Sequence, residues 1–182
     1  MQLDITTYPF SEMVIYYQKM KLTKKKRSLD PEKKGSLDLD TTGILVNNVT
    51  EPRGLCVDWI RLHLYFIDGL RKSINIVKMS NDKVRKEIIL GLKEPQDIVL
   101  ASRQIYISDY GTNAKIYAAN LDGSGLRPLV ESKVLWPTSL AIDYPNSRLY
   151  WTDLKLRTID SILLNGSQRK LVKKFHPKVK KC

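Results

Sequence analysis

Three carboxylates recur along this 182-residue chain in matching surroundings. Asp68, Asp109 and Asp153 each close a four-residue run opened by tyrosine: Tyr65-Phe66-Ile67-Asp68, Tyr106-Ile107-Ser108-Asp109 and Tyr150-Trp151-Thr152-Asp153. Carboxylates converging on a common channel could ligate a cation or share general acid and base work. Acid–base catalysis, however, needs groups whose surroundings push their pKa values apart, and a residue supplied once per repeat meets nearly the same surroundings each time. Symmetry therefore gives the three aspartates a structural role. Tyr65, Tyr106 and Tyr150 are expected to pack between repeats with their hydroxyls satisfied.

The remaining chemistry-bearing residues form no constellation. His63 and His176 have no motif around them, and no nucleophile elbow, phosphate loop or zinc spacing occurs. Two cysteines, Cys56 and Cys182, exclude a complete six-cysteine disulfide module and a CxxC metal site. No catalytic residue, no metal and no cofactor is expected, and the chain reads as a non-enzyme. Asn48-Val49-Thr50 and Asn165-Gly166-Ser167 have the form of N-glycosylation acceptors, the second on an expected exposed turn.

The formal net charge of +12 invites a nucleic-acid reading, but its placement argues against one. Residues 165–182 hold seven Lys/Arg and no acid, so much of the excess sits in a tail, and the single Phe175 among them is too little aromatic surface to stack on successive bases. No apolar stretch approaches the ~20 residues that span a bilayer, and Met1 to Tyr17 lacks the form of a signal peptide. Neither nucleic acid nor direct membrane insertion is expected of this segment.

The elements that must position the tyrosines and aspartates emerge when the chain is aligned with itself, at a period of just over 40 residues. Pro52, Pro95 and Pro137 each open a short apolar strand, with the tyrosines 13, 11 and 13 residues further on. A third strand follows, with Ile74 and Met79, Ile116 and Leu121, and Ile159 and Leu164 at matching places. Next come turn pairs that tolerate positive φ, Ser80-Asn81, Asp122-Gly123 and Asn165-Gly166. Fourth strands are expected at Ile88-Ile89-Leu90, Leu129-Val130 and Leu171-Val172. Four short strands joined by turns make one propeller blade. Blades are expected at about residues 50–92, 93–134 and 135–174, and Gly43-Ile44-Leu45-Val46 reads as the fourth strand of a preceding one. Residues 1–42 stand outside the repeat, with Phe10 to Met20 open to helix or strand and Lys24 to Gly35 a polar linker; residues 176–182 form a basic tail.

Tyr150-Trp151-Thr152-Asp153, preceded by Trp136-Pro137 and Leu140-Ala141-Ile142-Asp143, resembles the signature of the low-density lipoprotein (LDL) receptor class B repeat. The wording of residues 143–146 and 159–166 is most similar to the large endocytic lipoprotein receptor-related proteins. The resemblance covers about residues 43–175 and implies an all-β, incomplete YWTD β-propeller, since family propellers have six blades. It implies that the repeat aspartates hydrogen-bond within and between blades. It also implies an extracellular protein-binding module of an endocytic single-pass receptor that binds and releases secreted protein or lipoprotein ligands beside cysteine-rich modules. A Wnt co-receptor propeller is the alternative within the class, and a propeller hydrolase the alternative outside it. Cys182 fits either the first cysteine of a following EGF-like module or a free terminal thiol. The family also suggests a histidine acting in ligand release at endosomal pH, but His63 is read as packed or solvent-facing. Departures are Phe66-Ile67 for Trp-Thr in the first unit, and in the second Ile107-Ser108, a shorter hairpin and Ala101 where the others have Asp58 and Asp143. With too few blades to close a ring, apolar side chains such as Leu55, Ile105 and Leu149 are expected to be partly wet.

Overall fold

Short β-branched and aromatic runs favour strands because alternate side chains can be buried on a sheet face, and the intervening Gly, Asn, Asp and Ser turn the chain. The computed structural model describes residues 16–18, 42–44, 49–79 and 84–176. The chain divides into two compact units, residues 1–49 and 50–182. In the first, β1 (Tyr16–Gln18) and β2 (Thr42–Ile44) pair antiparallel, Tyr16 opposite Ile44 and Gln18 opposite Thr42. The segment Phe10 to Met20 thus supplies a strand, and Gly43-Ile44 lies in β2. Leu45, Val46, Asn48, residues 24–35, Ser80-Asn81 and Cys182 lie outside the described residues.

The second unit is three four-stranded antiparallel sheets, each strand paired with its sequence neighbours. Blade 1 holds β3 (Pro52–Asp58), β4 (His63–Asp68), β5 (Ser73–Lys78) and β6 (Arg85–Ile89). Blade 2 holds β7 (Glu94–Ala101), β8 (Gln104–Tyr110), β9 (Lys115–Asn120) and β10 (Arg127–Val130). Blade 3 holds β11 (Pro137–Asp143), β12 (Arg148–Asp153), β13 (Thr158–Leu163) and β14 (Lys170–Lys174). The all-β blades are those expected, and the three tyrosines share one register. Tyr65 lies between Cys56 and Ile76, Tyr106 between Val99 and Ala118, and Tyr150 between Ala141 and Ser161.

Each first strand carries an irregularity just after its proline, between Pro52 and Leu55, Pro95 and Asp97, and Pro137 and Leu140. Proline donates nothing to the ladder, and the bulge increases the local twist. The first hairpins differ as the departures of blade 2 require. Asp58 accepts the N–H groups of Ile60 and Arg61, and Asp143 that of Asn146, so these carboxylates hold the longer turns of blades 1 and 3. Blade 2 instead turns through Ser102 and Arg103, both at positive φ (50° and 63°), a two-residue hairpin with no loop for an aspartate at position 101 to hold.

Two cores lie between blades. Tyr65, Ile67, Ile74, Ile98, Ile105 and Ile107 fill the joint of blades 1 and 2. Tyr106, Ile116, Leu140, Leu149, Trp151 and Ile162 fill that of blades 2 and 3. This corrects the expectation for Ile105 and Leu149, which are fully buried because their strand faces point into these joints and not toward an open end. Leu55 is half-buried.

Candidate functional site

The position of each tetrapeptide residue in the second strand settles what it can touch, because alternate side chains leave opposite faces of the blade. The tyrosine faces the following blade. Tyr65 and Tyr106 are buried there, while Tyr150 is half-buried. The Tyr106 hydroxyl donates to Gln104 Oε1 at 3.2 Å. Burial pushes the Tyr65 phenol up to about 12, with the Asp58 carboxylate adding to it.

The second residue faces the preceding blade. Ile107 packs against blade 1 and Trp151 against blade 2, and Phe66 is likewise buried. Two of the three positions carry a guanidinium lid: the Arg85 centre lies 5.2 Å from the Phe66 ring centroid and the Arg169 centre 4.9 Å from that of Trp151. Arg85 also donates to Asn75 Oδ1 at 2.8 Å, and Arg169 to Asp160 Oδ1 at 3.1 Å. Arg169 further donates to the carbonyls of Ser132 and Lys133 in the segment leading from blade 2. Blade 2 has Ile107 and Tyr117 at the matching strand positions and uses apolar packing in their place.

The third residue serves the bulge. Thr152 Oγ1 accepts the N–H of Ser139 at 3.2 Å, and Ser108 Oγ that of Asp97 at 3.0 Å. Ser108 also donates to the Thr138 carbonyl of blade 3 at 3.0 Å. Ile67 of blade 1 offers no such acceptor.

The fourth residue fastens the lead-in segment of its blade. Asp68 accepts from Thr50 N–H (3.1 Å) and Glu51 N–H (3.4 Å), and Asp109 from Lys93 (3.0 Å) and Glu94 (2.6 Å). Asp153 accepts from Leu135 (2.8 Å) and Trp136 (3.1 Å), and its second oxygen from Lys155 and Leu156. Each carboxylate is engaged by the backbone of its own blade. Burial raises the Asp109 pKa above the ordinary carboxylate value, against the lowering effect of its two N–H donors.

Sequence reasoning missed Asp97. It stands on β7 where the other blades have Gly54 and Ser139, and its Oδ2 accepts the Leu140 N–H at 2.8 Å and the Ser139 hydroxyl at 3.3 Å, joining blades 2 and 3. On the other side, a Cβ at Gly54 would lie 2.6 Å from the Asp97 Cα, so only glycine allows that approach of β3 to β7. The one available signal was a charged residue at an offset that is small in the other repeats. Leu55, Cys56, Asp97, Leu140, Ile142 and Tyr144 border a groove of about 370 Å³ along the first strands. Burial, with Asp97 and Asp58 nearby, raises the Cys56 thiol, which therefore stays protonated at neutral pH.

His63 is half-buried with its ring edge-on to Tyr65 at 6.5 Å, and His176 is exposed. Asn165 lies on the exposed turn between β13 and β14. Among the described residues no group of three or more His, Cys, Asp or Glu could hold a metal ion, and no helix is long and apolar enough to cross a membrane. Apolar surface remains at the blade ends. Trp136, 40% exposed, stacks on Tyr110 with ring centroids 5.2 Å apart, and Leu70, Leu90, Leu135 and Leu154 are exposed in the loops around the lead-in segments. Trp59 and Ile60 are exposed on the turn after β3.

A sequence profile of the low-density lipoprotein receptor repeat class B matches residues 103–144 and 147–173. Over 151 residues the chain is 36% identical to the vitellogenin receptor of Solenopsis invicta, a match covering 81% of this chain and 8% of that one. It is 30% identical over 141 residues to a human low-density lipoprotein receptor-related protein 5-like protein, covering 75% of this chain and 56% of that one. The chain thus spans less than a tenth of the first relative and just over half of the second. In backbone it resembles a chain of the nidogen/laminin complex, with a TM-score of 0.66 at 23% identity, covering 72% of this chain and 51% of that one. A gluconolactonase of Xanthomonas campestris gives a TM-score of 0.59 at 17% identity, covering 71% and 50%, a likeness of fold alone. Profile, relatives and fold agree with the geometry of the tetrapeptides: the chain carries LDL receptor class B (YWTD) repeats in a partial propeller and belongs with the lipoprotein receptor-related family.

Proposed function

We propose that this segment is a protein-binding propeller module in the extracellular part of an endocytic lipoprotein receptor-related receptor, taking secreted protein or lipoprotein ligands. The observation that carries this reading is the contrast between engaged carboxylates and uncovered aromatics. Asp68, Asp109 and Asp153 all accept backbone N–H groups, whereas the stacked Tyr110–Trp136 pair stands partly open next to the exposed Leu135 and to Leu154, whose N–H donates to the Trp136 carbonyl. Aromatic side chains in an apolar surround are the residues from which binding hot spots are built. Kinship with a vitellogenin receptor supports a lipoprotein as ligand. A structural role for Tyr65, Tyr106, Tyr150, Trp151 and the three aspartates, and the absence of turnover, belong to the same proposal.

The test is binding of the full chain to a purified yolk-type lipoprotein by surface plasmon resonance. Trp136→Ala should weaken binding about tenfold or more, the loss of a hot-spot residue. Equal binding by this variant would remove the aromatic pair from the site. Turnover of a lactone or ester that vanishes in Asp109→Asn would favour the hydrolase reading instead.

A further inference from the structure

Two turns of this molecule are built alike yet differ in one atom that matters chemically. Between β13 and β14, Asn165 Oδ1 accepts the Ser167 N–H at 2.9 Å and the Ser167 hydroxyl at 2.8 Å. Gly166 sits at φ +87°, its N–H donating to the Leu163 carbonyl at 2.8 Å, and Leu163 N–H donates to the Ser167 carbonyl at 3.0 Å. Between β9 and β10, Asp122 Oδ1 accepts the Ser124 N–H at 2.9 Å and the Ser124 hydroxyl at 2.6 Å, with Gly123 at φ +86°. The same two backbone bonds close that turn, Gly123 to Asn120 and Asn120 to Ser124, both 2.9 Å. The blade 3 turn therefore presents a side-chain amide where blade 2 presents an isosteric carboxylate. Asn165, Gly166 and Ser167 are all exposed.

We propose that Asn165 is an N-glycan acceptor and that Asp122 marks the same site without the reactive nitrogen. The Ser167 hydroxyl donates to the amide oxygen, which leaves Nδ2 directed away from the turn's own bonds; among the described residues no hydrogen bond engages it. The donor would be a lipid-linked oligosaccharide pyrophosphate. Asn165 Nδ2 forms a bond to the anomeric carbon and loses one proton, the bond from that carbon to the pyrophosphate oxygen breaks, and the lipid pyrophosphate departs with the bonding pair. No redox partner is needed. The acceptor triplet is of the Asn-x-Ser form, and its position on a protruding turn gives a transferase access.

This rests on the extracellular reading of the chain but not on what the chain binds. The experiment supplies the compartment directly: the full chain is translated into microsomes behind a cleavable signal, and the Asn165 peptide is weighed before and after removal of N-glycans by an amidase. Most copies should carry a glycan at Asn165. Asn165→Asp should abolish it while keeping the blade 3 turn, which blade 2 builds in the same way on Asp122, and Ser167→Ala should abolish it with asparagine in place. Asp122→Asn, which completes an Asn-Gly-Ser triplet on the matching turn, should add a second glycan. A chain whose signal has been cleaved and whose Asn165 peptide is unmodified overturns the proposal, as does a glycan at that peptide that survives Ser167→Ala unchanged. Peptide masses keep any modification at Asn48 separate.

Discussion

Tyr106 and Tyr150 occupy one register on successive blades, yet the first is wholly buried and the second only half so. Nothing in their own strands explains the difference. Tyr106 lies in the core between blades 2 and 3, whereas Tyr150 lies on the far face of blade 3, against which none of the described strands packs. The repeat in the sequence supplies strands and turns, while the joint between repeats supplies much of the burial. A blade is thus a unit of pattern, and the joint is the unit of stability.

The joint is broken most severely at Trp151. Its side chain is buried, and Arg169 covers its ring. Trp151→Ala should cost about 3–5 kcal/mol in denaturant unfolding, the cost of emptying a large core site. Trp151→Phe should cost less than about 1.5 kcal/mol, because blade 1 already places Phe66 beneath an arginine at the same position. Equal losses for the two variants would mean that more than bulk and apolarity is required there.

The two tyrosines make the comparison directly. Tyr106→Ala should cost about 3 kcal/mol and Tyr150→Ala about 1 kcal/mol, in proportion to the area each withdraws from water. If a longer version of the chain supplied a fourth blade, the second cost should rise toward the first. Similar costs in the present chain would show that Tyr150 is already covered in solution.

Much of this was legible in advance because a repeat tests itself. Pro52, Pro95 and Pro137 with the three tetrapeptides place strands one and two, and the structure has all three tyrosines in one register. What stayed hidden was contact between repeats. Ile105 and Leu149 are apolar strand residues whether they face a joint or an open end, and only the assembled blades distinguish the two. Asp97 was hidden for the same reason, since its partners Ser139 and Leu140 lie more than 40 residues away. The departures at Ala101 and Ser108 were visible as letters, but their meaning, a two-residue turn and a hydroxyl serving a bulge, depends on backbone geometry.

A subtler probe is pH. Burial raises the pKa of both Asp97 and Asp109 above the ordinary carboxylate value. The folded chain therefore takes up protons at these groups more readily than the unfolded chain. Their contribution to stability is complete below the unfolded pKa and is lost as pH rises through the folded values. Asp58 is shifted the other way despite burial, because Arg61 and backbone N–H groups hold its charged form, so its contribution is lost as pH falls through its lowered value. Asp109→Asn should remove part of the gain on acidification. The stability of wild type relative to variant should be greater at about pH 5 than at about pH 7.5, by less than roughly 1 kcal/mol. An unchanged difference across that range would show that the carboxylate is not shifted upward.

The smallest effect on stability should accompany a large effect on association. On blade 3 the outermost strand, β14, is exposed throughout, with Leu171 58% and Val172 51% accessible, and further in on the same blade Tyr150 of β12 and Ile159 and Leu163 of β13 are only half-buried. In blade 1 the residues on the face away from blade 2, Leu64, Phe66 and Val77, are buried, so the uncovered apolar surface is not symmetric. An exposed edge strand offers unpaired N–H and C=O groups to any other strand; Lys170, Lys173 and Lys174 already oppose such pairing by their charge, and Leu171-Val172 is the apolar stretch left between them. Leu171→Lys should therefore change unfolding free energy by less than about 0.5 kcal/mol, as a surface substitution does. In size-exclusion chromatography the unsubstituted chain should elute as associated species at high concentration, and the variant should shift toward the monomer. If both elute as monomers with one sharp melt, three blades are sufficient as they stand and β14 is not an adhesive edge. If both associate equally, the contact lies elsewhere, and the exposed Trp59-Ile60 turn becomes the next place to substitute.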